Sequence, residues 1–123
     1  MGVKARVLVL EDDLANRETL CLLLEQMGYV PVPVDDGEKA LALLATSDPF
    51  DVAISDVVMP GISGLEFARR ARRRRAGLPI VLVTGDADAM ESVLIEGAVA
   101  LLKPYSTETL RQVLCEALEG ARK

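Results

Sequence analysis

Short aliphatic runs that lead to a polar or charged residue recur along this chain and constrain its fold more than any other feature. Four runs of three or four residues occupy positions 7–10, 52–54, 80–83 and 100–102. The polar groups to which they lead are Glu11 with Asp12, then Asp56, Thr84 and Lys103. Runs this short, without alternation of polar residues, are typical of strands buried on both faces of a parallel sheet.

A proline pair in the segment YVPVPV predicts an edge strand. Pro31 and Pro33 have no amide hydrogen and cannot donate to a neighbouring strand. Because they are two residues apart, both missing donors lie on the same side of the strand. The other side, which carries the donors of Val30, Val32 and Val34, remains free to pair.

The segments between the strands have apolar residues at helical spacing. Asp13, Ser63 and Ser106 stand where helix N-caps are expected, and Gly28 stands where the first helix should end. Five strands alternating with five helices predict a parallel sheet with right-handed crossovers and helices on both faces. We therefore expect residues 1–123 to form a single α/β domain.

Composition excludes several classes of protein. The chain has no histidine, which rules out histidine-based catalytic triads, histidine metal sites and a phosphohistidine carrier within it. The net charge of -5 argues against nucleic-acid binding, and no apolar run is long enough to span a membrane. Cys21 and Cys115 have no Cys-x-x-Cys spacing and are interpreted as small buried residues in a reducing cytoplasm, not as a disulfide.

The polar residues that follow the strands are expected to meet, because the carboxyl ends of parallel strands share one edge of the sheet. Glu11, Asp12 and Asp56 would repel one another there. A divalent cation bound by oxygens relieves that repulsion, and Mg²⁺ suits carboxylates and phosphate together. Thr84 would add a hydroxyl and Lys103 a positive charge, so the set favours phosphoryl transfer onto an aspartate.

Four motifs, LVLEDD, SDVVMPGISG, VTG and LLKPY, follow one another in this order along the chain. Together they resemble the receiver domain of a two-component response regulator, or of a hybrid sensor histidine kinase, over essentially the full length. The resemblance implies a flavodoxin-like sheet with strand order 2-1-3-4-5, in agreement with the edge strand. It also implies a cis peptide bond between Lys103 and Pro104.

The resemblance assigns a role to each polar residue. Asp56 resembles the phospho-acceptor, and Thr84 and Lys103 would hold the phosphoryl oxygens. The ligands of Mg²⁺ or Mn²⁺ would be Asp12, Asp56, the backbone carbonyl of Val58 and, through water, Glu11. The donor would be a histidine kinase, a histidine phosphotransfer protein or a small acyl phosphate. The domain would phosphorylate and dephosphorylate itself without being an enzyme in the usual sense, and its partner would be a downstream effector or an output domain of a longer parent chain.

Three alternatives to a phosphorylated switch are considered. The domain could be a phosphate sink or relay, or a receiver-like binding module that takes no phosphate. A phosphatase of the haloacid-dehalogenase type is the least favoured, since it needs a second aspartate two residues after the nucleophile as general acid, where this chain has Val58.

Two features depart from the usual receiver pattern. The family commonly has an aromatic residue three positions before the lysine, and its rotation reports phosphorylation; this chain has Ala100 there. The arginine cluster, which comprises the six arginines in positions 69–75, holds six of the fourteen cations. Helix-end electrostatics and solubility are its favoured explanation. A docking patch for an acidic partner or an RNA contact is the alternative.

Overall fold

A computed structural model describes residues 4–121 and contains a five-stranded parallel sheet in the order β2-β1-β3-β4-β5. The strands are β1 (Arg6–Leu10), β2 (Val30–Val34), β3 (Val52–Asp56), β4 (Ile80–Thr84) and β5 (Val99–Leu102). The helices are α1 (Leu14–Gln26), α2 (Gly37–Leu44), α3 (Gly64–Arg74), α4 (Met90–Ile95, after a 3₁₀ turn at Ala87–Ala89) and α5 (Thr107–Ala121). The predicted fold class and strand order are confirmed.

The two faces of the sheet bury separate hydrophobic cores. Leu8 and Leu10 of β1 point to one face, where α2, α3 and α4 pack, and Val7 and Val9 point to the other, where α1 and α5 pack. All four side chains are buried, as expected for a strand covered on both sides. Helices on both faces are thereby confirmed.

β2 is an edge strand, as its prolines predict. It pairs in parallel with β1, with Pro31 opposite Val7 and Pro33 opposite Val9. In the described sheet its other side has no neighbouring strand.

The predicted helix caps form hydrogen bonds. The side chain of Asp13 accepts the amide of Asn16 at 2.9 Å, and Ser63 accepts the amide of Glu66 at 3.1 Å. Ser106 does the same at the start of α5. The Lys103–Pro104 peptide bond is cis, which confirms that prediction.

The expectation that both cysteines are buried is wrong. Cys21 is half-buried and Cys115 is exposed, although both are free as predicted. The reason is helix geometry: Cys115 is next to Leu114 in sequence and so lies about 100° around α5 from that buried side chain. No helix within residues 4–121 is both long enough and apolar enough to cross a membrane.

Candidate functional site

Three carboxylates meet at the edge formed by the ends of β1 and β3. Because these strands are neighbours in parallel register, Glu11 and Asp12 follow β1 beside Asp56 at the end of β3. Carboxylate oxygens of the three residues lie within 4.8 Å of one another, and we call this set the carboxylate cluster. The Lys103 ammonium joins it from the end of β5, with Nζ 2.9 Å from Oδ1 of Asp56.

The environment of the carboxylate cluster favours protonation of one of its members. Glu11 is only 6% exposed. Its burial, followed by its hydrogen bond with Asp56 and the negative charges of Asp56 and Asp12, raises the pKa of the Glu11 carboxyl to about 7. The hydrogen bond that Lys103 donates to Asp56 also raises the pKa of the Lys103 ammonium, because it stabilises the charged form. One ammonium thus faces three acidic groups, and the site has an excess of negative charge.

The donor atoms of the carboxylate cluster suit a hard divalent cation. All three side chains offer oxygens, and Asp12 is exposed, so that it can share a cation with water. Mg²⁺ binds to sites of this kind with one or two carboxylates and retained water. The residues therefore fit the metal that the sequence predicts.

The loop that carries Glu11 and Asp12 is held by contacts of its own. The amide of Asp12 donates to the Glu11 carboxylate at 3.0 Å. Nη1 of Arg17, one turn into α1, donates to the carbonyl oxygens of Glu11 at 2.9 Å and of Asp12 at 3.4 Å. Sequence reasoning missed Arg17, because nothing in the spacing distinguishes it from an ordinary helix-surface arginine.

The turn after Asp56 depends on a close backbone approach. The amide of Gly64, the first residue of α3, donates to the carbonyl of Val57 at 2.8 Å. A Cβ at Gly64 would overlap the carbonyl of Asp56 and lie 2.9 Å from the Cα of Val57. The hydroxyl of Ser55, a buried residue of β3, donates to the Asp56 carbonyl at 2.9 Å. Gly64 and Ser55 were also missed as contributors to the site.

Thr84 lies at the predicted strand end, but its hydroxyl is engaged with its own loop. It accepts the amide of Asp86 at 3.0 Å and donates to the Asp86 carbonyl at 3.3 Å. The amide of Lys103 donates to the Thr84 carbonyl at 2.8 Å, so the two residues are linked through the backbone. Val58 has an exposed side chain, and its carbonyl is placed near the carboxylate cluster only by its position two residues after Asp56. The structure thus brings together Glu11, Asp12, Asp56 and Lys103, whereas a role of Thr84 and Val58 remains a prediction.

A cavity of about 280 Å³ opens beside Asp56 and Lys103. Its polar lining includes Asn16 and Thr19 of α1 and Tyr105 after β5. Burial raises the pKa of the Tyr105 phenol. The site therefore has open space next to the nucleophile candidate.

Most of the arginine cluster is occupied by contacts within the chain. Arg69 pairs with Glu66 and Glu96, and Arg70 pairs with Glu66 and Glu38. Arg72 donates to the carbonyl of Glu96. Arg75 donates to two carbonyls at the end of α2, those of Leu44 at 3.2 Å and Thr46 at 2.8 Å, and lies over the ring of Phe50. Bridging between helices is thus a further role, which the sequence interpretation did not consider.

Comparisons with known proteins agree with this geometry. Residues 7–115 match the family described as "Response regulator receiver domain". The transcriptional regulatory protein FixJ of Bradyrhizobium diazoefficiens is 31% identical over 124 residues, which cover 98% of this chain and 60% of FixJ. The response regulator MprA of Mycolicibacterium vanbaalenii is 40% identical over 108 residues, which cover 85% of this chain and 46% of MprA. The chain therefore spans about half the length of these relatives.

Among solved structures, the chemotaxis protein CheY4 of Vibrio cholerae is similar, with a TM-score of 0.85 and 33% sequence identity. The match covers 94% of this chain and 100% of that protein.

Proposed function

This chain belongs to the response regulator receiver domain family, and on that premise we propose that Asp56 accepts a phosphoryl group in a reaction that depends on Mg²⁺ or Mn²⁺. The observation that carries the proposal is the convergence of three carboxylates within 4.8 Å, with Lys103 paired to Asp56. Crowded anions with a single ammonium are suited to binding a cation and an incoming phosphoryl group together.

The proposed chemistry is a displacement at phosphorus. A carboxylate oxygen of Asp56 forms the new bond to phosphorus, and the bond from phosphorus to the donor breaks with its electron pair remaining on the donor. The donor is a phosphohistidine of a histidine kinase or of a phosphotransfer protein, or a small acyl phosphate. Its leaving group is an imidazole nitrogen, which takes a proton from solvent, or a carboxylate.

The residues of this chain have distinct tasks in that reaction. Lys103 donates to Asp56 before the reaction, and then stabilises the negative charge on the transferred phosphoryl oxygens. The Thr84 hydroxyl leaves its contact with Asp86 to donate to another of these oxygens. Asp12, Asp56, the carbonyl of Val58 and, through water, Glu11 would hold the metal, which when bound neutralises charge on the carboxylates and on the phosphoryl group.

We place this activity in the cytoplasm and treat residues 1–123 as one receiver domain that modifies itself and not an external substrate. The relatives that it matches are longer, so an output domain or a separate effector is the expected recipient of the signal. We assign neither nucleic-acid nor membrane binding to this domain.

A phosphate sink or relay is the second candidate, and Ala100 favours it. Ala100 pairs in register with Leu82 and packs, half-buried, against the core formed with α2, α3 and α4. A methyl group has no rotamer with which to report a movement of Thr84. Phosphorylation would then change this domain chiefly around the site itself.

Incubation with acetyl phosphate and Mg²⁺, followed by intact-mass analysis, tests the proposal. Wild type should gain one phosphoryl group, and Asp56→Asn should gain none because the anionic nucleophile is absent. Asp48→Asn, a change of the same kind at an exposed loop position, should react like wild type. An adduct on Asp56→Asn, or none on wild type with Mg²⁺ present, would contradict the assignment.

A further inference from the structure

Arg17 contacts the backbone of the loop between β1 and α1, which carries Glu11 and Asp12. It does not contact the carboxylates of that loop. Arg17 is a half-buried residue of α1, and its guanidinium donates through Nη1 to the carbonyl oxygens of Glu11 and Asp12, at 2.9 and 3.4 Å. Arg111, by contrast, pairs with the carboxylate of Glu108, three residues before it on the same helix. The hydrogen bonds of Arg17 are thus directed at two backbone carbonyls of this loop.

The loop between β1 and α1 is held from two directions. On one side Arg17 binds two successive carbonyls. The Glu11 carboxylate accepts the amide of Asp12 at 3.0 Å and also belongs to the carboxylate cluster with Asp56. Fixing the carbonyls therefore fixes how the two side chains are presented to Asp56.

We propose that Arg17 is a positioning residue that orients Glu11 and Asp12 and thereby sets the affinity of the site for a divalent cation. This inference rests on the proposed function, because it assumes that the carboxylate cluster binds Mg²⁺. Arg17 touches neither the metal nor the phosphoryl group and acts through the loop alone. Partners that orient metal ligands commonly change metal affinity by about 10- to 100-fold when they are removed.

Two variants separate the contact from the charge. Arg17→Met keeps much of the aliphatic stem but donates no hydrogen bond. Arg17→Lys retains the charge and a donor on a side chain that is one bond shorter, so it should restore part of the function. Arg111→Met on α5 removes the same charge from a helix surface and serves as the matched control.

The experiment is a Mg²⁺ titration of each variant of residues 1–123, followed through backbone amide chemical shifts at residues 10–14. We expect Arg17→Met to bind Mg²⁺ at least about tenfold more weakly than wild type, and Arg17→Lys to lie in between. Arg111→Met should stay within about twofold, since an exposed charge contributes little to a remote site. In the absence of metal, the amide of Asp12 should exchange its hydrogen faster in Arg17→Met than in wild type.

The outcomes distinguish this inference from the proposed function. Equal Mg²⁺ affinity of wild type and Arg17→Met would overturn the role of Arg17, as would an equal loss in Arg111→Met. If wild type binds no Mg²⁺, the proposed function fails, and the metal-free exchange of the Asp12 amide decides whether Arg17 orders the loop. If Arg17→Met does not fold, Arg17→Lys decides, because wild-type affinity and exchange in that variant would contradict the need for the guanidinium.

Discussion

The carboxylate cluster and the arginine cluster both concentrate like charges, but the protein compensates them differently. In the arginine cluster, Arg69 and Arg70 have carboxylate partners, whereas Arg72 and Arg75 donate to backbone carbonyls. In the carboxylate cluster, three acidic groups share one ammonium, and the pKa of Glu11 rises to about 7 as a result of burial and its acidic neighbours.

The two clusters differ in whether their charges are compensated within the chain or would be compensated by a bound cation. Charges compensated by the chain itself join elements together, and those of the arginine cluster connect α3 with α2 and α4. Charges left in excess at a partly buried site lower the stability of the metal-free protein, and a bound cation removes that cost. The clustering of like charges in the sequence does not distinguish these two cases. It does not show which groups elsewhere in the fold compensate each charge.

The largest effect is expected where the backbone approaches the carboxylate cluster most closely. Gly64→Ala should reduce the free energy of unfolding by about 3 kcal/mol, because its Cβ would overlap the backbone of Asp56 and Val57. Gly77→Ala, beyond the arginine cluster, has no atom within 4 Å of its Cβ and should change stability by less than about 0.5 kcal/mol. Urea denaturation measures both; equal effects would show that the close backbone approach at Gly64 does not limit the volume tolerated there.

An effect of comparable size should follow from the ionisation of Glu11. Its pKa is about 7 in the folded chain against an ordinary 4.5, so its favourable contribution is complete below pH 4.5 and is lost as the pH rises through 7. Metal-free wild type should therefore lose up to about 3 kcal/mol of stability between pH 5 and pH 8. Glu11→Gln should be more stable than wild type at pH 8 but not at pH 5, as measured by denaturation at each pH, and a flat pH dependence of wild type would refute this.

The arginine cluster gives a smaller and more local prediction. Arg75→Met should lower the free energy of unfolding by about 1.5 kcal/mol, because it loses hydrogen bonds to Leu44 and Thr46 and its contact with Phe50. Arg74→Met is the matched control, because Arg74 is exposed and forms no ion pair within residues 4–121. It should change stability by less than about 0.5 kcal/mol. Equal destabilisation by both variants would mean that the arginine cluster acts through its total charge.

The weakest effect is expected at a distance from the carboxylate cluster. With a beryllofluoride mimic of phosphate, amide shifts should be large along residues 84–90 and small along residues 100–114, because Ala100 offers no rotamer to couple them. Ala100→Tyr should enlarge the shifts along residues 100–114. Wild-type shifts there that match those at residues 84–90 would show that Ala100 does not uncouple this face.

Much of this architecture is predictable from sequence, because it depends on periodicity and on residues with special backbone chemistry. The apolar runs predict buried strands, and Pro31 and Pro33 predict the edge strand. The convergence of Glu11, Asp12 and Asp56 follows from parallel strand ends alone. These features are determined by local pattern and topology.

The rest depends on tertiary partners that no local pattern reveals. The carbonyls bound by Arg17 and Arg75 are supplied by a loop and by another helix. The exposure of Cys115 depends on how α5 is rotated against the sheet, and the close approach at Gly64 depends on the path of the preceding turn. Such contacts are defined only by the folded chain.

The most direct test of the central claim is a titration of the Glu11 side-chain carboxyl by carbon-13 NMR, with and without Mg²⁺. Without metal, the Glu11 carboxyl should titrate at about pH 7. Saturating Mg²⁺ should lower its pKa toward the ordinary 4.5, because a nearby cation favours the ionised form. An ordinary pKa near 4.5 in the metal-free chain, or a raised pKa that Mg²⁺ leaves unchanged, would contradict the conclusion that this edge of the sheet holds excess negative charge for a cation.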